Sequence, residues 1–243
     1  MEKEKVNVLR PAPSQPRANG TIQQMAEVLM LSPDELTERK IIFPGMRQRE
    51  VLNAFREIRT RLMQKMGSSN FVLLVSSVGT RTSSSYTAIN IAAAIALDER
   101  MTALYVDCNL YSPFAPRLLP TEPEYGLTDY LDSQTLGVEE IIYASGIPRL
   151  RVIPPGRPHE TAVEYFNSQR MRNLIDALKN RYPDRFIILD VPPVSATTEA
   201  RILAQLCDAA VLVVPFGEVT TSQVLAGVDA VGRDRFAGLI FNE

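Results

Sequence analysis

Apolar residues along the chain follow two periods. Between residues 47 and 66, Val51, Phe55, Ile58, Leu62 and Met66 recur at helical spacing, which predicts an amphipathic helix over Arg47–Met66. From residue 71 onward, short apolar runs alternate with helical stretches. The predicted strands are Phe71–Ser76, Ala103–Asp107, Leu150–Ile153, Phe186–Asp190, Ala209–Val214 and Leu239–Phe241. The predicted helices are Ser85–Asp98, Val138–Tyr143, Ser168–Arg181, Thr198–Leu206 and Thr221–Val231. Several strands are continuously apolar and end on a polar residue, as strands buried on both faces do. The fold class expected is α/β: a doubly wound, mainly parallel sheet flanked by helices in three layers. Such sheets bind ligands beyond the carboxyl ends of their strands, which draws attention to Ser76, Ser77, Asp107 and Asp190.

The chain before this alternating region divides in two. Residues 1–20, with Pro11, Pro13 and Pro16, are expected to be a disordered tail. Residues 21–66 form a helical extension, and 67–243 the sheet domain. Within the extension, Ser32-Pro33-Asp34-Glu35 reads as a helix start: Ser32 caps, Pro33 fits the first turn and Glu35 completes a capping box. Pro44-Gly45 then breaks the chain before the long helix.

Composition narrows the function classes. The longest apolar runs, such as Ala209–Phe216, fall short of the ~18 residues of a membrane span. The charged start Met1-Glu2-Lys3-Glu4-Lys5 leads into no signal-peptide core, so the chain reads as cytoplasmic. His159 is the only histidine, which excludes multi-histidine metal sites; it reads as a loop residue. Cys108 and Cys207 lack metal-ligand spacing and read as reduced core residues. The net charge of −2 conceals 12 Lys/Arg against 8 Asp/Glu in residues 1–66 and 14 against 20 in the remainder. A basic N-terminal segment suits an acidic partner, an anionic membrane surface or a neighbouring copy of the chain. No basic patch interleaved with aromatics marks a nucleic-acid reader.

Candidate chemistry begins at residues 71–92, which have the frame of a phosphate-binding loop: strand, connection, helix. In a working loop, glycines let backbone N–H groups wrap a phosphate, a lysine meets its charge and Ser/Thr holds Mg²⁺. The connection Ser77-Val78-Gly79-Thr80-Arg81-Thr82-Ser83-Ser84-Ser85 has one glycine and no lysine. Ser83-Ser84-Ser85 is expected to cap the following helix. Asp107 and Asp190 close two strands, and carboxylates so placed can orient a metal's water shell or accept a proton from an attacking hydroxyl.

These segments together resemble the bacterial tyrosine kinases of capsule and exopolysaccharide synthesis, a branch of the P-loop ATPases that includes the cell-division and partition ATPases. The resemblance covers about residues 45–243. Asn90-Ile91-Ala92 looks like the Asn-Leu-Ala after that family's loop, and Val106-Asp107 through Pro113 like its Asp-x-Asp-x-x-x-Pro motif. Gly126-Leu127-Thr128-Asp129-Tyr130-Leu131, Leu150 through Gly156, and Asp190-Val191-Pro192-Pro193-Val194 match three further segments. Arg56-Glu57-Ile58-Arg59-Thr60 resembles the helix with which such kinases pack into rings. The resemblance implies a P-loop NTPase-like fold, ATP-dependent tyrosine phosphorylation, a membrane chain-length regulator as partner, and self-association through residues 47–66 with Arg56 and Arg59 reaching the next subunit.

The departures from that pattern bear on activity. Counting back from Asn90, the loop lysine falls on Ser84, the glycine before it on Ser83, and Arg81 stands at another glycine position. Ser85 keeps the Mg²⁺-binding hydroxyl. Asn109 replaces the second acid, Tyr111 an arginine, and Asn53 the acid of the ring-forming motif; no tyrosine follows Tyr182, where the family carries a C-terminal tyrosine cluster. The first reading is therefore a degenerate, non-catalytic regulatory or assembly module, docking on a membrane chain-length regulator or an active kinase at the inner face of the plasma membrane. On this reading no cofactor is expected, and Mg-ATP or Mg-ADP binds weakly if at all. The alternative is an active tyrosine kinase or ATPase with a rearranged loop: Gly79, Arg81, Ser83, Ser84 and Ser85 around nucleotide, Ser85, Asp107 and Asp190 around Mg²⁺, and Asp107 and Asp190 as catalytic groups. A third reading, a partition-type ATPase on a membrane surface, lacks that group's early loop lysine, where Gly79 stands.

Overall fold

The computed structural model describes residues 30–67, 69–80, 84–158 and 162–242. The expected tail of residues 1–20, His159, Arg81 and Ser83 lie outside them. Two helices come first, α1 (Pro33–Glu38) and α2 (Arg49–Met66). The alternating region follows as β1 (Val72–Ser77), α3 (Ser85–Ala96), β2 (Thr102–Asp107), α4 (Leu127–Asp132), β3 (Tyr143–Ala144) and β4 (Leu150–Ile153). It continues through α5 (Ala162–Phe166), α6 (Gln169–Arg181), β5 (Arg185–Asp190), α7 (Glu199–Ala204), β6 (Ala209–Pro215), α8 (Thr221–Val231) and β7 (Phe236–Asn242).

Among the described residues seven strands form one sheet in the order β3-β4-β2-β5-β1-β6-β7. All neighbours pair in parallel except β3, which runs antiparallel to β4. Alternate residues of the central strands feed two cores. Leu73, Val75, Tyr105 and Ile188 face α2 and α3, whereas Leu74, Leu104, Val106 and Leu189 face α6 and α7. The doubly wound, three-layer α/β fold expected from the apolar runs is the fold observed. No helix among the described residues is long and apolar enough to cross a membrane.

The extension is built into the first core. Ser32 accepts from the Glu35 amide while the Glu35 carboxylate accepts from Ser32 N and Oγ, which is the capping box read from sequence. Leu36, Ile41 and Ile42 are buried with α3. Asn90 of α3 clips them in place: its Oδ1 accepts from Ile42 N at 2.8 Å, and its Nδ2 donates to the Lys40 carbonyl at 2.9 Å. On the inward stripe of α2, Leu52 and Leu62 are buried and Phe55 and Ile58 half-buried against the core; Val51, expected on it, is 45% exposed. Val51 stands four residues and Leu52 three residues before Phe55, so both border the same face, and Leu52 takes the inward place.

The Val138–Tyr143 helix is not formed. Residues Val138–Ile141 make a single 3₁₀ turn, and Tyr143 begins the edge strand β3. Tyr143 is fully buried, and its hydroxyl donates to the Tyr125 carbonyl at 2.9 Å, a contact that an extended backbone allows. The segments Gly126–Leu131 and Leu150–Gly156 meet at a glycine pair. A Cβ on Gly126 would run into the Gly156 backbone, so no side chain fits there.

Candidate functional site at the carboxyl ends of the central strands

The loop after β1 folds tightly against the sheet. Ser76 Oγ donates to the Pro192 carbonyl at 2.8 Å, Ser77 Oγ to the Gly79 carbonyl at 2.8 Å, and Val78 N to the Val213 carbonyl at 2.9 Å. A Cβ on Gly79 would meet Pro215 Cγ at 3.0 Å and Val219 Cγ1 at 3.3 Å, so the glycine serves close packing against the end of β6.

β2 and β5 are paired in register so that Asp107 lies directly beside Asp190. Both carboxylates point to the α3 face and have no solvent exposure. Asp107 Oδ2 accepts from Phe114 N and Ala115 N, each at 2.7 Å, and Oδ1 from Asn109 N at 3.1 Å. It therefore holds together the turn that follows its own strand. Asp190 is held by side chains: the Tyr105 hydroxyl donates to Oδ2 at 2.6 Å and the Ser84 hydroxyl to Oδ1 at 3.3 Å. Buried Ser85 sets its hydroxyl toward the same carboxylate. Burial raises Asp107 well above the usual carboxylate range, and the neighbouring Asp190 charge raises it further against the pull of its three amide donors. Burial raises Asp190 too, opposed by Ser85, Tyr105 and Ser84.

The Ser84 hydroxyl is thus turned inward. Ser84 precedes α3 with helical backbone angles (φ −68°, ψ −18°), makes no cap hydrogen bond, and also donates to the Val191 carbonyl at 3.4 Å. The expected cap by the serine run is corrected for Ser84: a residue already in the helical conformation cannot direct its side chain back to the first-turn amides. In the turn after Asp107 one side chain bonds locally and another reaches α7. Asn109 Oδ1 accepts from Ser112 N at 3.2 Å, and the Tyr111 hydroxyl donates to Glu199 Oε1 at 2.6 Å.

The donor set does not fit an octahedral Mg²⁺ shell as folded. That shell needs ionised oxygens that face the metal and leave room for water. Here the oxygens of both aspartates accept hydrogen bonds from the chain, the side chains are enclosed, and the pair favours protonation. Among the described residues no group of three or more His, Cys, Asp or Glu side chains is placed to hold a metal ion.

Sequence reasoning placed Asp107, Asp190, Ser84 and Ser85 in one locus, and the structure brings these four together. It missed Tyr105. The available signal was a tyrosine two residues before Asp107, hence on the same strand face, with a polar tip needing a partner in an otherwise apolar strand. Of the proposed association residues, Arg56 is exposed, whereas Arg59 folds onto its own chain and donates to the Ala94 carbonyl in the last turn of α3 at 2.9 Å. Both cysteines are buried, and burial pushes both thiols up.

Comparison with known proteins gives the following likenesses. The tyrosine-protein kinase CpsD of Streptococcus agalactiae is 30% identical over 216 residues, covering 86% of this chain and 90% of that protein. The kinase domain of the Escherichia coli tyrosine kinase ETK superposes with a TM-score of 0.73 at 21% identity, over 88% of each chain. A ParA family ATPase from Chlorobium tepidum TLS superposes with a TM-score of 0.53 at 17% identity, over 71% of this chain and 74% of that one. These two structural likenesses bear on the fold. No protein-family model matches the chain.

Proposed function

The chain belongs to the family of bacterial tyrosine kinases, and on that premise we propose that it has lost phosphoryl transfer and serves as a non-catalytic regulatory or assembly module of capsule or exopolysaccharide synthesis. Its partner on this reading is a membrane-bound chain-length regulator or an active kinase, which holds it at the inner face of the plasma membrane. The observation that carries the reading is the use made of Ser84, Asp107 and Asp190. Phosphoryl transfer works by positioning and charge: a cation on the phosphates, a metal on ionised carboxylates, and a base. Here the residue at the cation position is a buried serine bonded to Asp190, and the two carboxylates hold the fold together from inside. Removing one transition-state donor alone costs about 10²–10³ in rate. Mg-ATP and Mg-ADP bind weakly or not at all on this reading.

Two observations favour the second reading, an active kinase or ATPase with a rebuilt loop. Asp107 and Asp190 stand side by side at the strand ends, and the first turn of α3 receives no side-chain cap from Ser84, as suits a helix start that meets a phosphate. Incubating the chain with γ-labelled ATP and Mg²⁺ separates the two. The proposed function requires no labelled tyrosine and no release of phosphate above buffer. Turnover that disappears in both Asp107→Ala and Asp190→Asn establishes the second reading instead.

A further inference from the structure

The amino ends of the central strands carry charge on a sheet face that is otherwise apolar. Arg185 opens β5 and Arg151 lies in β4, on either side of β2, with Arg185 aligned to Thr102 and Arg151 to Leu104. By strand alternation they share the sheet face of Leu104, Ile153 and Ile187, and each is only 6% exposed. Strands two apart in a sheet are about 10 Å from one another, within reach of two arginine side chains. Helix α6 ends over this spot, with Arg181 as its last residue and Tyr182 as its cap. Arg185 lies at the far end of β5 from Asp190.

A guanidinium brings five N–H donors and a fixed charge. Among the described residues, the side-chain nitrogens of Arg185 make no hydrogen bond and no ion pair; the group rests on the Tyr182 ring, whose centroid lies 4.0 Å from its Cζ. Its Nε is enclosed, whereas the two Nη atoms keep contact with solvent. Nearby acceptors are engaged elsewhere. The Lys179 and Tyr182 carbonyls at the end of α6 accept from Asn70 Nδ2 at 2.7 and 3.1 Å. Asp184 Oδ2 accepts from the Thr102 hydroxyl at 3.5 Å, and Glu139 Oε2 accepts from Arg181 Nη1 at 3.4 Å. Burial pushes Arg185 down to about 10, and the charges of Arg151 and Arg181 act in the same direction against Tyr182 and Asp184. A buried charge without a counter-charge is costly, and a ring face offsets part of that cost.

We propose that the Arg185 guanidinium, stacked on Tyr182 at the amino end of β5, is a binding site for a carboxylate group brought by another molecule. The Tyr182 ring covers one face of the guanidinium and Nε is enclosed, so the open approach is end-on, in the guanidinium plane, at the two Nη atoms. A carboxylate offers two oxygens in one plane and meets that fork with two parallel hydrogen bonds. A tetrahedral anion turns its remaining oxygens toward the ring and the apolar sheet face, where their hydration is lost. Arg181 is exposed beside the opening and adds a second positive charge. Small organic acids and the acidic side chains of another chain share this chemistry, and the arms of the test separate them. The inference does not rest on the loss of phosphoryl transfer, and its test uses no nucleotide.

The full chain, isotopically labelled, is titrated at neutral pH and constant ionic strength by exchanging sodium chloride for sodium acetate, and the Arg185 Nε–Hε and Tyr182 amide signals are followed by NMR. Acetate should move both saturably, with half-saturation at about 10–100 mM, as one charge-assisted pair open to water gives. Inorganic phosphate should bind at least about threefold more weakly. In Arg185→Met, which keeps the bulk without the charge, the Tyr182 response should vanish while the spectrum stays dispersed. Arg185→Lys, which keeps the charge without the fork, should weaken acetate binding about fivefold or more. A capped tetraglutamate peptide that binds at least about tenfold tighter than acetate, through Arg181 as a second contact, assigns the site to acidic side chains of another chain; a peptide no tighter than acetate assigns it to small carboxylates. Signals that acetate leaves in place, phosphate binding as tight as acetate, or a Tyr182 response unchanged in Arg185→Met would each overturn the proposal.

Discussion

Helices α3 and α8 both start on a hydroxyl residue, and the hydroxyl does different work at each. At α8, Thr220 has an extended backbone (φ −84°, ψ 159°) and accepts from the Gln223 amide, while Gln223 Oε1 accepts from Thr220 N at 2.8 Å and from its hydroxyl at 3.0 Å. The cap closes within four residues and lies at the surface. At α3, Ser84 is already helical, is buried, and spends its hydroxyl on Asp190, a residue on another strand. The first is a local device that stabilises one helix. The second joins helix, loop and carboxylate pair across the sheet. Where a phosphate-binding loop would present a charged side chain outward, this chain presents a structural contact inward.

Disrupting the buried locus should have the largest effect. Asp107→Ala removes the acceptor of three amides and opens space in the core, so a loss of about 3 kcal/mol or more is expected in denaturant unfolding. A loss of under 1 kcal/mol would mean that water replaces the carboxylate and that the turn is less enclosed than it is here.

The pH dependence sharpens the contrast next. Both aspartates have folded-state values raised above the unfolded range, so the folded protein holds more protons between the two. Their contribution is present in full below the ordinary aspartate range of about 3.9 and is lost as pH rises through the raised values. In Asp190→Asn one charge and the mutual repulsion vanish, while the side chain can still accept from Tyr105. Urea midpoints measured from about pH 4.5 to about pH 8 should then fall less steeply in the variant than in the parent chain.

The smallest effects distinguish the two hydroxyls directly. Thr220→Ala should cost ~1 kcal/mol at any pH in that range, because a cap to backbone amides involves no titrating group. Ser84→Ala should cost about as much at neutral pH but less in acid, because its partner is then protonated and no longer favours a donor so strongly. Equal pH profiles for the two variants would contradict the inward role of Ser84.

Local chemistry was the legible part of the sequence. The Ser32–Glu35 capping box, the Thr221–Val231 helix and the strand Leu150–Ile153 follow from spacing and propensity and are found where expected. Strand-end carboxylates were legible because continuous apolar runs stop at them. What was hidden depends on register and rotation. Ser84 looks like a cap in sequence, and only the helical angles before α3 turn its hydroxyl toward β5. Tyr105 belongs with Asp190 only because β2 and β5 pair in one register, which aligns Asp107 with Asp190. Val51 and Leu52 are both apolar and border the same face of α2, and only the packing against the core decides which is buried. Tyr143 reads as helix by its neighbours, but its hydroxyl partner at Tyr125 favours an extended edge strand.

The most direct test is calorimetric titration of Mg-ATP into the full chain at high protein concentration. Carboxylates that hold the fold from inside and a serine in place of the loop cation predict no binding heat up to millimolar nucleotide. Micromolar binding of Mg-ATP that disappears in Asp190→Asn would contradict this and would return Asp107 and Asp190 to the role of metal ligands.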